Sequence, residues 1–158
     1  MMNRRFLTTI FGAGALAAFG ACSTFEPETY DCTHLVSVSE LGARVTLAAE
    51  TGDLSVVRLN GIDAVCEDDG EKTNIQLGIG LKVSRPAEES ENALLLEVPF
   101  IAAKLDSVDT VIGHESFSYR MAFGSKVDLI YPLMRHELSI PAEGRVVISL
   151  VSERIELN

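Results

Sequence analysis

Asn74-Ile75-Gln76-Leu77-Gly78-Ile79-Gly80-Leu81-Lys82-Val83-Ser84 sets five aliphatic side chains in strict alternation with polar or small residues. A period of two is the geometry of a strand with one buried face, because successive Cβ atoms point to opposite sides of a sheet. Just upstream, Ser55 to Cys66 is rich in Val and Ile, and Glu67-Asp68-Asp69-Gly70-Glu71-Lys72 separates the two stretches. Its Asp-Gly step is a hairpin signal, since glycine takes positive φ without steric cost. Val56 to Val83 is therefore expected as an antiparallel hairpin, with Cys66 at its turn end and Asn60-Gly61 as a bulge or tight bend.

The same pattern continues outward in both directions. Toward the N-terminus, His34 to Val38 and Arg44 to Ala48 read as short strands separated by Leu41-Gly42. Toward the C-terminus, Pro86 to Asn92 is a polar loop and Ala93 to Lys104 is apolar nearly throughout. Pro99 in its middle lacks a ladder donor, which predicts an edge strand or a bulge. Asp106-Ser107-Val108-Asp109 is a turn signal, followed by Thr110 to Gly113. Phe117, Tyr119, Met121 and Phe123 alternate with smaller residues; at period two such a row is expected in a core, the alternative being a ligand groove. Tyr131-Pro132 interrupts, Glu137 to Ile140 and Arg145 to Glu153 read as strands, and Pro141 to Gly144 as a turn. About eight short strands with turns between them and no helical period predict an all-β fold. An antiparallel β-sandwich, immunoglobulin/fibronectin III-like, is expected ahead of a closed barrel.

The N-terminus has a different character. Arg4 and Arg5 precede an apolar run from Phe6 to Phe19, small residues and Cys22, the order of an export signal helix. The run falls short of the roughly 20 apolar residues that span a bilayer. Leu16-Ala17-Ala18-Phe19-Gly20-Ala21-Cys22 resembles the lipobox of bacterial lipoproteins, departing from it at Phe19, where Leu or a smaller aliphatic is usual. The resemblance implies a signal peptide over residues 1 to 21, a lipid on Cys22, a tether over 22 to 31 and a domain over 32 to 158. The alternative is an ordinary signal peptide cut after Ala21. Asn3-Arg4-Arg5-Phe6-Leu7 resembles a twin-arginine signal with the spacing one residue short, so general secretion is favoured. Ser23 differs from the Asp that resembles an inner-membrane retention signal, which points to the periplasmic face of the outer membrane.

The chain has 13 basic and 23 acidic residues, net −10. Removing residues 1 to 21 takes Arg4 and Arg5 and no acid, so the charge becomes −12. Such a surface is repelled by nucleic acid and anionic headgroups, which sets nucleic-acid binding aside. Without a long single-sign run, the charge reads as a solvated exterior. Cys32 and Cys66 are left as an even pair in an oxidising compartment, where disulfides persist. A bridge between them is expected; a metal site is the alternative, weakened by the lack of a histidine at ligand spacing.

Several matches in order extend the resemblance over nearly the whole chain after residue 22. They are Cys32, Leu41-Gly42-Ala43-Arg44-Val45-Thr46, Ile62 through Cys66, Asp68-Asp69-Gly70, Ile75 to Val83, Phe100-Ile101-Ala102-Ala103 and Val147 to Leu157. Together they resemble a set of alphaproteobacterial lipoproteins that carry no assigned activity, departing at Glu143-Gly144-Arg145 and in a shorter end. The resemblance implies location, fold and the Cys32 to Cys66 bridge, and adds no catalytic role.

Chemistry is sparsely signalled. His34, His114 and His136 are the only histidines; His114-Glu115 and His136-Glu137 are the sequence-adjacent acid–base candidates. No Gly-x-Ser-x-Gly elbow is present, and Gly78-Ile79-Gly80 lies inside a strand, where it suits close approach of another layer. Glu67, Asp68, Asp69 and Glu71 have calcium-type donors without the spacing of a calcium loop. No catalytic residue, metal or cofactor is assigned. The expected function is that of a lipid-anchored cell-envelope structural or protein-interaction module. Its expected partners are the membrane, through Cys22, and an envelope protein or the cell wall. The alternative is a periplasmic small-ligand or lipid carrier, with the Phe117 to Phe123 row lining a cavity. An enzyme using His114 or His136 with a neighbouring carboxylate is a third reading.

Overall fold

The computed structural model describes residues 28–86 and 92–152, so the expected signal peptide, Cys22 and the tether up to residue 27 lie outside the described residues. Ten strands follow in chain order: β1 (Thr29–Asp31), β2 (Val36–Val38), β3 (Arg44–Ala48), β4 (Leu54–Asp68), β5 (Lys72–Ser84), β6 (Leu94–Leu105), β7 (Val111–Phe123), β8 (Leu129–Ile130), β9 (Leu133–Pro141) and β10 (Arg145–Leu150). A 3-10 turn, Thr33–Leu35, lies between β1 and β2.

The strands form two packed sheets. In the first, β4 and β5 are the central pair, with β1 and β3 end to end along the free flank of β4 and β8 and β9 end to end along that of β5. The second has the order β2-β10-β6-β7, all antiparallel except β2 beside β10. This is the β-sandwich expected. Like the first strand of many such folds, the N-terminal segment is shared between sheets, β1 in one and β2 in the other. The β3-β4-β5 meander, however, is not the ABED/CFG order of immunoglobulin domains.

The expected hairpin is the spine of the first sheet. Twelve residue pairs join β4 to β5, from Val56↔Ser84 to Asp68↔Thr73, with the irregularity at Leu59/Gly61. The bulge at Asn60-Gly61 preserves the core. Before it Val57 and Leu59 face inward, and after it Ile62, Ala64 and Cys66 do, so one extra residue keeps a 15-residue strand apolar on the same side. Gly61 sits at φ +154°, where a side chain would be opposed. From β5, Ile75, Leu77, Ile79, Leu81 and Val83 are all at most 1% exposed and meet Leu96, Val98, Phe100, Ala102, Val146 and Ile148 of the other sheet.

Three expectations are corrected. The stretch assigned to the tether is structured at its end: Thr29–Asp31 pairs with Val65 to Glu67. Pro99 neither breaks its strand nor marks an edge, because β6 is flanked by β10 and β7. The carbonyl of Pro99 accepts from Val151 N–H at 3.1 Å, so its missing donor faces the flank where β10 has just ended at Leu150↔Phe100. The reciprocal bond that proline cannot make therefore falls one step past the last pair of that ladder. Finally, only Phe123 of the aromatic row is fully buried; Phe117, Tyr119 and Met121 are half-buried and pack on the core, since β7 has no strand beyond it.

Cys32 and Cys66 are disulfide-bonded, with Cα atoms 5.7 Å apart and neither residue exposed. The bond sits where the chain leaves the first sheet for the second, supported by Cys32 N–H to the Ala64 carbonyl and Ala64 N–H to Thr33 Oγ1, both 3.1 Å. At the far end of β5, Arg85 is 5% exposed. It donates from Nε to Val127 O and from Nη1 to Asn92 O at 2.8 Å, and from Nη2 to Gly124 O at 2.9 Å, with its guanidinium 5.1 Å from the Phe123 ring centre.

Candidate functional site

Along one side of the sandwich, β7 is the last strand of its sheet and β9 lies at the rim of the other, pairing only with β5. The inward phase of β7 runs Gly113, Glu115, Phe117, Tyr119, Met121 and Phe123, and that of β9 runs Met134, His136, Leu138 and Ile140. Lys104 continues the inward phase of β6 beyond Ala102, opposite Gly113. Three polar side chains thus enter the space between the sheets from three strands. His136 Nε2 lies 3.0 Å from Glu115 Oε1, and Lys104 Nζ lies 3.0 Å from Glu115 Oε2. The side chains are 18% exposed at His136 and 35% at Glu115.

Aromatic rings hold this trio in place. Phe117 is stacked between Phe100, with centroids 5.1 Å apart, and the His136 ring, 3.6 Å away. Tyr119 meets all three edge-on, at 6.1 to 6.5 Å, and its hydroxyl donates to the Arg135 carbonyl of β9. That bond closes the seam between the two rims. Burial pushes the Tyr119 phenol above its ordinary value. Burial alone would also raise Glu115, but the hydrogen bonds and charges of Lys104 and His136 outweigh it and hold the carboxyl below 4.5.

No protein-family model, curated protein or solved structure matches this chain. The site therefore has to be weighed on its own chemistry.

Neither adjacent pair named from the sequence forms. On a strand, neighbours point to opposite faces, so His114 and Glu137 face outward and are exposed while Glu115 and His136 face inward and meet across the seam. His34 is exposed near the first strand. The sequence signal that finds the true pair is phase: Glu115 and His136 occupy the apolar phase of their strands, where a charged group needs a partner. A histidine–carboxylate pair can hold and pass a proton. Here the carboxylate is also neutralised by Lys104 and the imidazole is covered by Phe117, so the pair is built to stay together. An inward charge on a terminal strand also discourages further edge pairing.

The acidic turn is used locally. Asp68 accepts from Tyr30 Oη at 2.8 Å and Thr73 Oγ1 at 2.6 Å, and Asp69 Oδ1 accepts from the N–H groups of Glu71 and Lys72. The Thr73 bond, then the Tyr30 bond, hold Asp68 below its ordinary value. Among the described residues no group of three or more His, Cys, Asp or Glu is arranged to hold a metal ion.

The trio gives a pH prediction. A carboxyl whose folded pKa is depressed adds stability above its unfolded pKa, near 4.5, and loses it as pH falls through the lower folded value. Glu115→Gln is expected to cost about 1 kcal/mol at pH 7, a figure kept small by the exposure of the pair. The gap to the unmodified protein should close as the solution is acidified toward pH 3. Urea midpoints measured across that range test this, and a gap independent of pH contradicts it.

Proposed function

We propose that the protein is a lipid-anchored module of the cell envelope, fixed through Cys22 at the periplasmic face of the outer membrane, that works by binding macromolecules rather than by catalysis or transport of a small molecule. The observation that carries this reading is the filled seam. The rings a carrier would need around its cargo are stacked on one another, Phe100 on Phe117 and Phe117 on His136. A hollow of about 510 Å³ lies elsewhere, lined by Thr46, Leu47, Ala48, Leu54, Glu97, Pro99 and Ser152, away from that row and open to solvent. With β1 starting at Thr29, the span from Cys22 to the domain is at most seven residues, or about 23 Å at full extension, which keeps the domain at the bilayer surface.

The test is cell fractionation and crosslinking of the full chain beside Cys22→Ser. The unmodified protein is expected in the membrane fraction with a repeatable set of envelope partners, and the variant is expected to leave that fraction. A variant that remains membrane-bound overturns the anchor. A stoichiometric small molecule in native mass spectra of the purified protein would instead favour the carrier.

A further inference from the structure

Folding concentrates charge that is dispersed in the sequence. Arg44 stands directly opposite Arg58, and Arg58 opposite Lys82, on the three adjacent strands β3, β4 and β5. All three share the outward phase of the first sheet, and none has an ion-pair partner among the described residues. Like charges directly opposite one another oppose sheet formation, and a chain of net −10 has ample acid to relieve them. Further along the same outward face the sign reverses. Asp63, Glu67 and Glu137 line β4 and β9, with Asp31 on β1; Arg135 stands among them and Lys72 at their far end.

Between the two zones the face carries the exposed Asn60 and, beside it, a pair of glycines without side chains. Gly61 pairs with Gly80, and a side-chain carbon built at Gly61 would meet nothing within 4 Å. Apolar residues border the zones: Leu133 (66% exposed), Tyr131 (60%), Leu54 and Val65. Tyr131 lies under the Lys82 ammonium, 5.9 Å from it.

From this arrangement we infer that the outer face of the first sheet is a docking surface for a second copy of the chain, related by a two-fold axis close to the Gly61–Gly80 pair. An isologous interface must be self-complementary. Turning this face by half a revolution about an axis running across the strands lays the row of Arg44, Arg58 and Lys82 on the row of Asp63, with Asp31 and Glu137 two residues further along, within reach of the long basic side chains. The glycine pair at the axis lets two backbones approach, as its place in a strand suggested. Four lanes of strand at about 4.8 Å and a length of about 30 Å give on the order of 600 Å² per copy, or about 1,200 Å² in all, the lower end of stable interfaces. Net repulsion between copies is screened beyond about 8 Å at physiological salt, whereas the contact pairs are not. The inference does not depend on the lipid anchor.

The test is sedimentation of the full-length chain in mild detergent, across concentration and salt. A monomer–dimer equilibrium is expected that weakens on going from about 0.05 to 1 M salt. Arg58→Glu with Lys82→Glu should weaken association at least ~tenfold, and adding Asp63→Lys with Glu137→Lys should restore it. Gly80→Cys should form a disulfide-linked dimer on non-reducing gels, and Ser118→Cys, on the other sheet, should not. Arg120→Gln, outward on the other sheet, should leave the dimer unchanged. A monomer at all concentrations overturns the inference, as does failure of the second charge reversal to rescue the first or loss of the dimer with Arg120→Gln.

Discussion

Replacing Cys32 and Cys66 together with alanine is expected to lower the unfolding free energy by about 4 kcal/mol and the melting temperature by roughly 15 °C. The two residues are 34 apart in sequence, and in the chain-entropy account the closed loop restricts the unfolded ensemble by that amount. The bond contributes in the folded state as well. It holds the short N-terminal strands, three residues each in β1 and β2, which are too brief to stay docked by their ladders alone. Thermal unfolding followed by circular dichroism, with and without reductant, measures both effects. A loss under about 1 kcal/mol would show that the loop is already restricted in the unfolded chain.

The second large effect is expected at Arg85. Arg85→Met keeps much of the side-chain volume over Phe123 but removes the donors to Val127, Asn92 and Gly124. Hydrogen bonds from a charged group contribute about 1.5 to 3 kcal/mol each, and carbonyls left without partners add their own penalty, so a total of roughly 3 to 5 kcal/mol is expected. Arg85→Lys should recover little of this, because an ammonium cannot serve three carbonyls lying in the plane of a fork. Urea unfolding of both variants decides it. A methionine variant within about 1 kcal/mol of the parent would mean that the loops close without the guanidinium.

The parts of the fold governed by local alternation could be read directly. The β4–β5 pair, its acidic turn and the bulge at Asn60-Gly61 all follow from residues within one stretch. Pro99 could not be placed, because whether a missing donor matters depends on where a distant strand, β10, stops. The domain begins earlier than its sequence pattern for a related reason. Thr29-Tyr30-Asp31 has no periodicity of its own and is a strand only because Val65 to Glu67 offers it a ladder. The site lay between these cases. The sequence shows histidine and glutamate as neighbours, while strand phase separates neighbours and joins Glu115 to His136, 21 residues on. The row of Arg44, Arg58 and Lys82 was invisible for the opposite reason: net charge averages over a surface that pairing sorts into zones.

The place of the disulfide decides how the domain answers a mechanical pull. Tension applied through the residues before Thr29 peels three β1 pairs from β4 and then arrives at Cys32, where a covalent link passes the load to Cys66 on the longest strand of the first sheet. Beyond that point the bonded sheet, rather than the thin leading segment, takes the strain. An attachment at the N-terminus can therefore tug repeatedly without unthreading the sandwich, and the reduced protein should give way at far lower force.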